Sequence, residues 1–258
     1  MNCHNVMKRL LIILTAAILT VIPAIAQGVK FENETLNYKV MYKWGLISKQ
    51  AGSARLTLKV APNVYKAALY AWSAPWAKSL YELKDTLYTT LSPKTLQPYT
   101  YTYISHENGR YAHDEVKFSR NGNTVTGTCT HELRTKKGNW KYSNTTLTAT
   151  GPTVDMLSMF FYIRTIDFPR MRIGTSQTMN IFSGRKKETL TLTYKGRQRL
   201  DMNGKSYIAY YVTFTFTTDG KKSSAPISAW ITADTRRIPL QVEGQLPVGK
   251  IRCVWTGS

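Results

Sequence analysis

The sequence is poor in the residues and spacings from which catalytic and metal sites are built. Only four histidines occur in 258 residues. There is no G-x-S-x-G nucleophile elbow, no G-x-x-x-x-G-K-S/T phosphate-cradling loop and no H-E-x-x-H helix. Asp114-Glu115 is the one adjacent acidic pair, and neighbours on a strand face opposite ways, so the two do not act together. His106, His113 and Glu115 fall on the wet face of one predicted hairpin, with His131-Glu132 on the following strand. Their spacing is too loose for a metal site. No catalytic residue, metal or cofactor is expected, and the chain reads as non-enzymatic.

Cysteine is almost as scarce. Cys3 lies in the N-terminal segment, which leaves Cys129 and Cys253. An even pair in an oxidising compartment is a candidate disulfide, with two separate buried thiols as the alternative. Spacing alone does not choose between them. Long apolar runs are missing too. Leu10 to Ile22 is 13 residues, below the roughly 17–25 that a spanning helix needs, and nothing later approaches that length. No transmembrane span is expected in the mature chain.

Acidic residues are few: 15 Asp and Glu stand against 35 Lys and Arg, for a formal charge of +20. The N-terminus explains where such a protein works. Lys8 and Arg9 precede the apolar run, and Ala24-Ile25-Ala26 gives a small-x-small cleavage pattern. Residues 1–26 therefore read as a signal peptide cleaved after Ala26, and the protein as exported to the periplasm or cell envelope. The mature chain, 27–258, keeps a charge of +18, since the leader carries two basic residues and no acid. Export argues against nucleic acid as a partner and favours lipid phosphates, membrane surfaces or anionic envelope polymers. A merely solvated basic surface is the plainer alternative.

The mature chain is rich in alternating strands and hairpin turns. Leu36 to Tyr42, Ala54 to Val60, Val64 to Trp72 and Leu87 to Leu91 alternate with period two. Asn108-Gly109 joins Tyr99–His106 to Tyr111–Ser119, and Asn121-Gly122 leads into Thr124–Leu133. Asn-Gly suits the tight hairpin turn in which both central residues need positive φ. A second meander follows from Gln177, turning at Asn203-Gly204 and Asp219-Gly220. The expectation is an all-β, mainly antiparallel fold: an open or flattened barrel or roll of a dozen or more strands. It forms a single β-rich domain over 27–258, with two half-sheets joined near 151–174 as a variant. The strand, turn and proline of Leu87–Tyr99 are echoed in Trp230–Leu240 with a one-residue offset.

Between the meanders, Gly151 to Gly174 is the best helix candidate, centred on 153–166. Thr153 is placed to cap it, and Val154, Leu157, Phe160, Phe161 and Arg164 follow helical spacing. Asp155 sits near its start, where it reaches Ser158, and nine residues put Asp155 and Arg164 on opposite faces, so each would pair with the sheet instead. Trp72, Trp76, Met156, Met159, Phe160 and Phe161 are candidates to line an apolar pocket between helix and sheet, with ordinary core packing as the alternative.

Four stretches carry a family resemblance. They are Tyr38–Ala54 with Trp44-Gly45-Leu46; Lys84-Asp85 through Leu96-Gln97-Pro98; Asp155-Met156-Leu157-Ser158 through Arg164 and Ile173-Gly174; and Trp230-Ile231-Thr232 through Ile238-Pro239-Leu240. In these the chain resembles domain-of-unknown-function family 3108, made of exported bacterial proteins. The resemblance implies a β-rich exported protein, makes Asp155, Leu157, Ser158 and Arg164 the motif residues, and supplies no activity. The hairpins are also distantly similar to periplasmic lipoprotein carriers, half-barrels closed by helices over an apolar cavity. Together these lead to the expectation of an envelope protein holding a lipid-like ligand between helix and sheet. The alternative is a scaffold that binds envelope proteins or anionic polysaccharide through its basic surface.

Overall fold

The computed structural model describes residues 29–222 and 225–257. The expected leader lies outside the described residues. Strands β1 (Glu34–Trp44), β2 (Ile47–Lys59), β3 (Tyr65–Ser73), β4 (Leu83–Leu91), β5 (Pro98–Glu107), β6 (Arg110–Asn121), β7 (Thr124–Arg134) and β8 (Trp140–Thr150) form the first meander. A three-residue strand β9 (Thr153–Asp155) and the helix α1 (Ser158–Arg164) follow. The second meander is β10 (Ser176–Phe182), β11 (Lys187–Met202), β12 (Lys205–Thr218), β13 (Lys221–Lys222), β14 (Ile227–Thr232), β15 (Pro239–Gln245) and β16 (Lys250–Gly257).

All of these strands belong to one sheet. Its order is β8-β7-β6-β5-β4-β3-β2-β1-β16-β15-β14-β12-β11-β10-β9, with β13 beside β12. Every pairing is antiparallel except the short β9–β10 contact. The two meanders are thus not separate half-sheets. They join through β1 and β16, with Tyr38 opposite Trp255 and Tyr42 opposite Ile251. The sheet curls until its two ends nearly meet. Across that seam Phe118 stacks on Phe182, with ring centroids 5.8 Å apart. Asn180 Nδ2 donates to Thr150 O at 3.0 Å, and Lys187 Nζ to Thr148 O at 3.2 Å.

The alternation decides which face is inside. On β4 the inward residues are Leu83, Asp85, Leu87, Thr89 and Leu91, all buried, while Lys84, Thr86, Tyr88 and Thr90 face out. On β2, Ala54, Leu56 and Leu58 point in and Arg55 and Lys59 out. Apolar inside and polar outside is the reverse of a barrel that crosses a bilayer. Each fully buried Leu or Phe of this interior contributes about 1.5–3 kcal/mol relative to exposure.

The helix differs from expectation. It spans seven residues, not the fourteen around 153–166, because Thr153 to Asp155 is extended and pairs with Asn180 to Phe182 of β10. Thr153 does not cap it; its hydroxyl donates to Gly151 O at 3.0 Å. The Asp155 carboxylate does that work by accepting from the Leu157 and Ser158 backbone amides. Apolar residues in this stretch are buried on every side because the segment plugs a barrel, and that mimics a helical stripe. No helix among the described residues is long and apolar enough to cross a membrane.

Candidate functional site

The barrel has two different ends. At one, α1 closes the opening beside the β2–β3, β4–β5 and β14–β15 turns. Arg164, only 1% exposed, runs its guanidinium to the Glu34 carboxylate and donates to Arg236 O through Nε at 3.1 Å and Nη2 at 2.8 Å. It also lies 5.0 Å from the centre of the Phe31 ring, which packs edge-on against Phe161. Arg237, in the left-handed region at φ 50°, reaches back over Tyr210 at 4.7 Å and donates to Ile166 O.

Asp155 ties this plug to the far wall. Its Oδ2 lies 2.7 Å from Thr89 Oγ1 on β4, and its Oδ1 accepts the Leu157 amide at 2.7 Å and the Ser158 amide at 2.8 Å. Complete burial pushes the carboxyl up to about 6, against the downward pull of the bonds from Ser158, Thr89 and Leu157.

At the opposite end, the β1–β2, β3–β4 and β15–β16 turns surround a cavity of about 420 Å³. Its wall is mostly apolar: Val40, Ala71, Trp76, Leu80, Leu246 and Ile251 contribute, with Cys253 among them. Local backbone irregularity opens it. The β1–β2 register slips between Val40 and Met41, so that Ala51 bulges and its carbonyl accepts the Ala74 amide. Gly52 follows the bulge, where a Cβ would stand 2.5 Å from Trp72 O. The loop after β3 turns through a short 3-10 segment, Pro75–Ala77, placing Trp76 so that its Nε1 donates to Gln50 O at 2.7 Å. Lys49 Nζ sits 4.4 Å above the Trp76 ring. Tyr42 Oη holds the β15–β16 turn by donating to Val248 O at 3.1 Å. Deeper in, Tyr81 Oη donates to Glu107 Oε2 and Tyr103 Oη to Asp85 Oδ2, both at 2.7 Å. Of these four, Tyr81 is the one in the cavity wall.

A family described as protein of unknown function (DUF3108) matches residues 37–254. The chain belongs to that family. Among solved structures it is similar to a β-barrel-like protein of DUF1849 from Brucella abortus. The TM-score is 0.60 at 8% identity, over 88% of this chain and 97% of that one, a likeness of fold alone. Two weaker likenesses are to a putative exported protein with a YmcC-like fold from Bacteroides fragilis and to a putative lipoprotein from Parabacteroides distasonis. Their TM-scores are 0.34 and 0.32 at 7% and 8% identity; they cover 89% and 88% of this chain and 100% and 95% of theirs, and neither supports an argument. No curated protein matches the sequence.

The four residues expected to carry the family motif, Asp155, Leu157, Ser158 and Arg164, lie in the interior. Asp155 and Ser158 make the turn into α1, Leu157 is buried beside them, and Arg164 holds the other end. Asp155 and Arg164 do not meet; each bonds the sheet, one at Thr89 and one at Glu34. The six pocket candidates divide. Trp72 and Trp76 line the cavity. Met156, Met159 and Phe161 are buried in the core, and Phe160 packs edge-on against Phe161; none of the four lines it. The reason is topological: β3 carries Trp72 at one end and Tyr65, beside Phe31 and the helix, at the other.

Of the two readings of the cysteine pair, the structure has separate thiols and no Cys129–Cys253 disulfide. Both thiols are free, Cys129 beside Asp114 at 3.8 Å and Cys253 in the cavity wall between Val40 and Val242. Burial pushes each thiol up to about 12, so neither is a thiolate nucleophile at neutral pH.

An inward-facing His–Asp pair joins β6 and β7. His131 faces inward, and its Nδ1 lies 2.6 Å from Asp114 Oδ1, while His113 stays outside opposite Glu132. The signal was available in the alternation, since Asp114 and His131 are directly paired across β6 and β7. No group of three His, Cys, Asp or Glu able to hold a metal occurs among the described residues.

Proposed function

We propose that this is an exported, non-catalytic envelope protein that holds the apolar chain of a lipid-like ligand in the cavity between the β1–β2, β3–β4 and β15–β16 turns. The observation that carries this reading is the cavity itself: about 420 Å³ with a mostly apolar lining, within the size range of small-molecule sites. The leader sequence Lys8 to Ala26 supports export.

The test is native mass spectrometry of the protein recovered from its own envelope, followed by organic extraction. A stoichiometric lipid, lost when Ala71→Phe fills the cavity, is the expected result. A clean apo mass with nothing extractable rejects the carrier reading and favours the scaffold, whose basic surface would then be probed with anionic polysaccharide.

A further inference from the structure

The cavity end carries apolar side chains that the fold does not bury. At the tip of the β1–β2 hairpin, Leu46 is fully exposed, and Trp44 and Ile47 are each 57% exposed. Leu80, on the β3–β4 loop, is 76% exposed and Val248, on the β15–β16 turn, 57%. These three loops are the ones that frame the cavity, and Leu80 and Val248 also line it. Single exposed leucines need no explanation, but five large apolar side chains gathered on the loops around one mouth form a patch.

The chemistry around the patch selects its partner. Lys43-Trp44-Gly45-Leu46-Ile47-Ser48-Lys49 is exposed throughout and sets an apolar apex between two lysines. Lys78 stands on the next loop, and the other turns of the same end bear Lys136-Lys137 and Arg185-Lys186. The acids on the described turns of this end are Glu82, already paired with Lys78 at 3.7 Å, and Asp219. A protein interface built on such a patch would ordinarily offer a flat or concave face around its anchors. Here the apolar groups project from loop tips, with tryptophan at the apex and long basic side chains behind. That is the arrangement that enters the boundary between acyl chains and head groups while its cations meet lipid phosphates.

We infer that the cavity end docks on the surface of a bilayer containing anionic phospholipid, with Trp44, Leu46, Ile47, Leu80 and Val248 inserted to head-group depth. The barrel stays outside the hydrocarbon, because its outer face is polar. Docking sets the cavity mouth against the lipid, so an acyl chain passes between bilayer and cavity without crossing water. This last step rests on the carrier reading proposed above; the docking does not.

The experiment uses the protein exported through its own leader, with its N-terminus checked by mass. It is mixed with vesicles of phosphatidylglycerol and phosphatidylethanolamine, or of phosphatidylcholine alone, and sedimented. Binding to the anionic vesicles is expected, with a blue shift of tryptophan emission that Trp44→Phe removes. Leu46→Asp and Ile47→Asp, both at exposed positions, should each lower partitioning by about tenfold or more. Raising salt from about 0.1 M to 1 M, which shortens the screening length from about 10 to 3 Å, should weaken it further. No sedimentation with anionic vesicles at low salt overturns the inference. So does binding that Leu46→Asp leaves intact, which would mean a diffuse basic surface, and so does a dimer that Leu46→Asp splits, which would give the patch to a second copy. An apolar fluorescent probe, 1-N-phenylnaphthylamine, separates the two readings. Leu46→Asp should keep probe binding while losing vesicles, and Ala71→Phe should do the reverse.

Discussion

Asp155 and Thr89 share too few protons when the carboxylate is ionised. Thr89 Oγ1 lies 2.7 Å from Asp155 Oδ2 and 3.0 Å from Thr100 O, yet a hydroxyl has one hydrogen. If the acid is protonated it donates to Thr89, and Thr89 donates to Thr100 O. A folded value of about 6 lies above the ordinary carboxylate value near 3.9, so the folded chain binds this proton more tightly than the unfolded one. The stabilisation is therefore full below about pH 4 and is lost as pH rises through 6, by on the order of 3 kcal/mol. Asp155→Asn copies the protonated acid: its amide donates to Thr89 and its oxygen still receives the two backbone bonds. Urea midpoints at pH 4.5 and 7.5 should differ less in Asp155→Asn than in the parent protein; an unchanged difference would remove Asp155 as the titrating group. At the other end of α1, Arg164→Ala strands the Glu34 carboxylate and the Arg236 carbonyl. Breaking one side of a buried pair costs about 3–5 kcal/mol, and the same urea titration at pH 7 would show it.

At the scale of elements, hairpins were the most legible part of the sequence. Asn108-Gly109, Asn203-Gly204 and Asp219-Gly220 all take the paired positive φ values that their residue types suggest. The echo between Leu87–Tyr99 and Trp230–Leu240 is real in backbone terms. Leu96 and Arg237 both adopt positive φ two residues before a proline, and the flanking ladder slips at Thr90/Leu91 and at Trp230/Ile231. The closures, Ser92 N to Gln97 O and Thr232 N to Ile238 O, differ by the one residue that separates the two sequences. What stayed hidden was β9, where three residues are too short for any period, and the cavity, which depends on strands 1, 2, 3, 15 and 16 meeting. Trp72 and Trp76 stand out in the sequence as large aromatics beside a break in alternation, and both lie at the cavity. Met156, Met159, Phe160 and Phe161 fit a helix–sheet pocket by their place on the helix, but helical spacing says nothing about which end of a barrel the helix occupies. The bulge that opens the cavity yields its own prediction. Gly52→Ala brings a Cβ against Trp72 O and should cost about 1–3 kcal/mol. It should also weaken 1-N-phenylnaphthylamine binding, measured by fluorescence; unaltered stability and binding would show that β2 and β3 can move apart there.

For the whole molecule, the all-β class and the barrel shape followed from hairpin spacing, whereas the closure did not, since no local signal marks the pairing of residue 38 with residue 255. One continuous sheet predicts one cooperative transition. Midpoints from far-ultraviolet circular dichroism and tryptophan fluorescence should coincide in urea; two midpoints would restore two half-sheets. The free thiols add a second expectation at this scale. Denatured without reductant, the chain should take alkylating reagent at both Cys129 and Cys253, and slow labelling when native is expected from thiols near 12.

The sheet order carries a kinetic meaning as well. Read around the barrel, the strands follow chain order from β1 to β16, and the last strand then pairs with the first. The break in the strand ladder falls in mid-chain, between β8 and β9, where side chains bridge it, while the clasp is made by the first and last strands. Nothing can bring Tyr38 and Trp255 together until the final strand is present, and a contact of that sequence separation is slow to form. The barrel therefore closes only once its last strand is in place, and refolding from urea should show that closure as its slow phase.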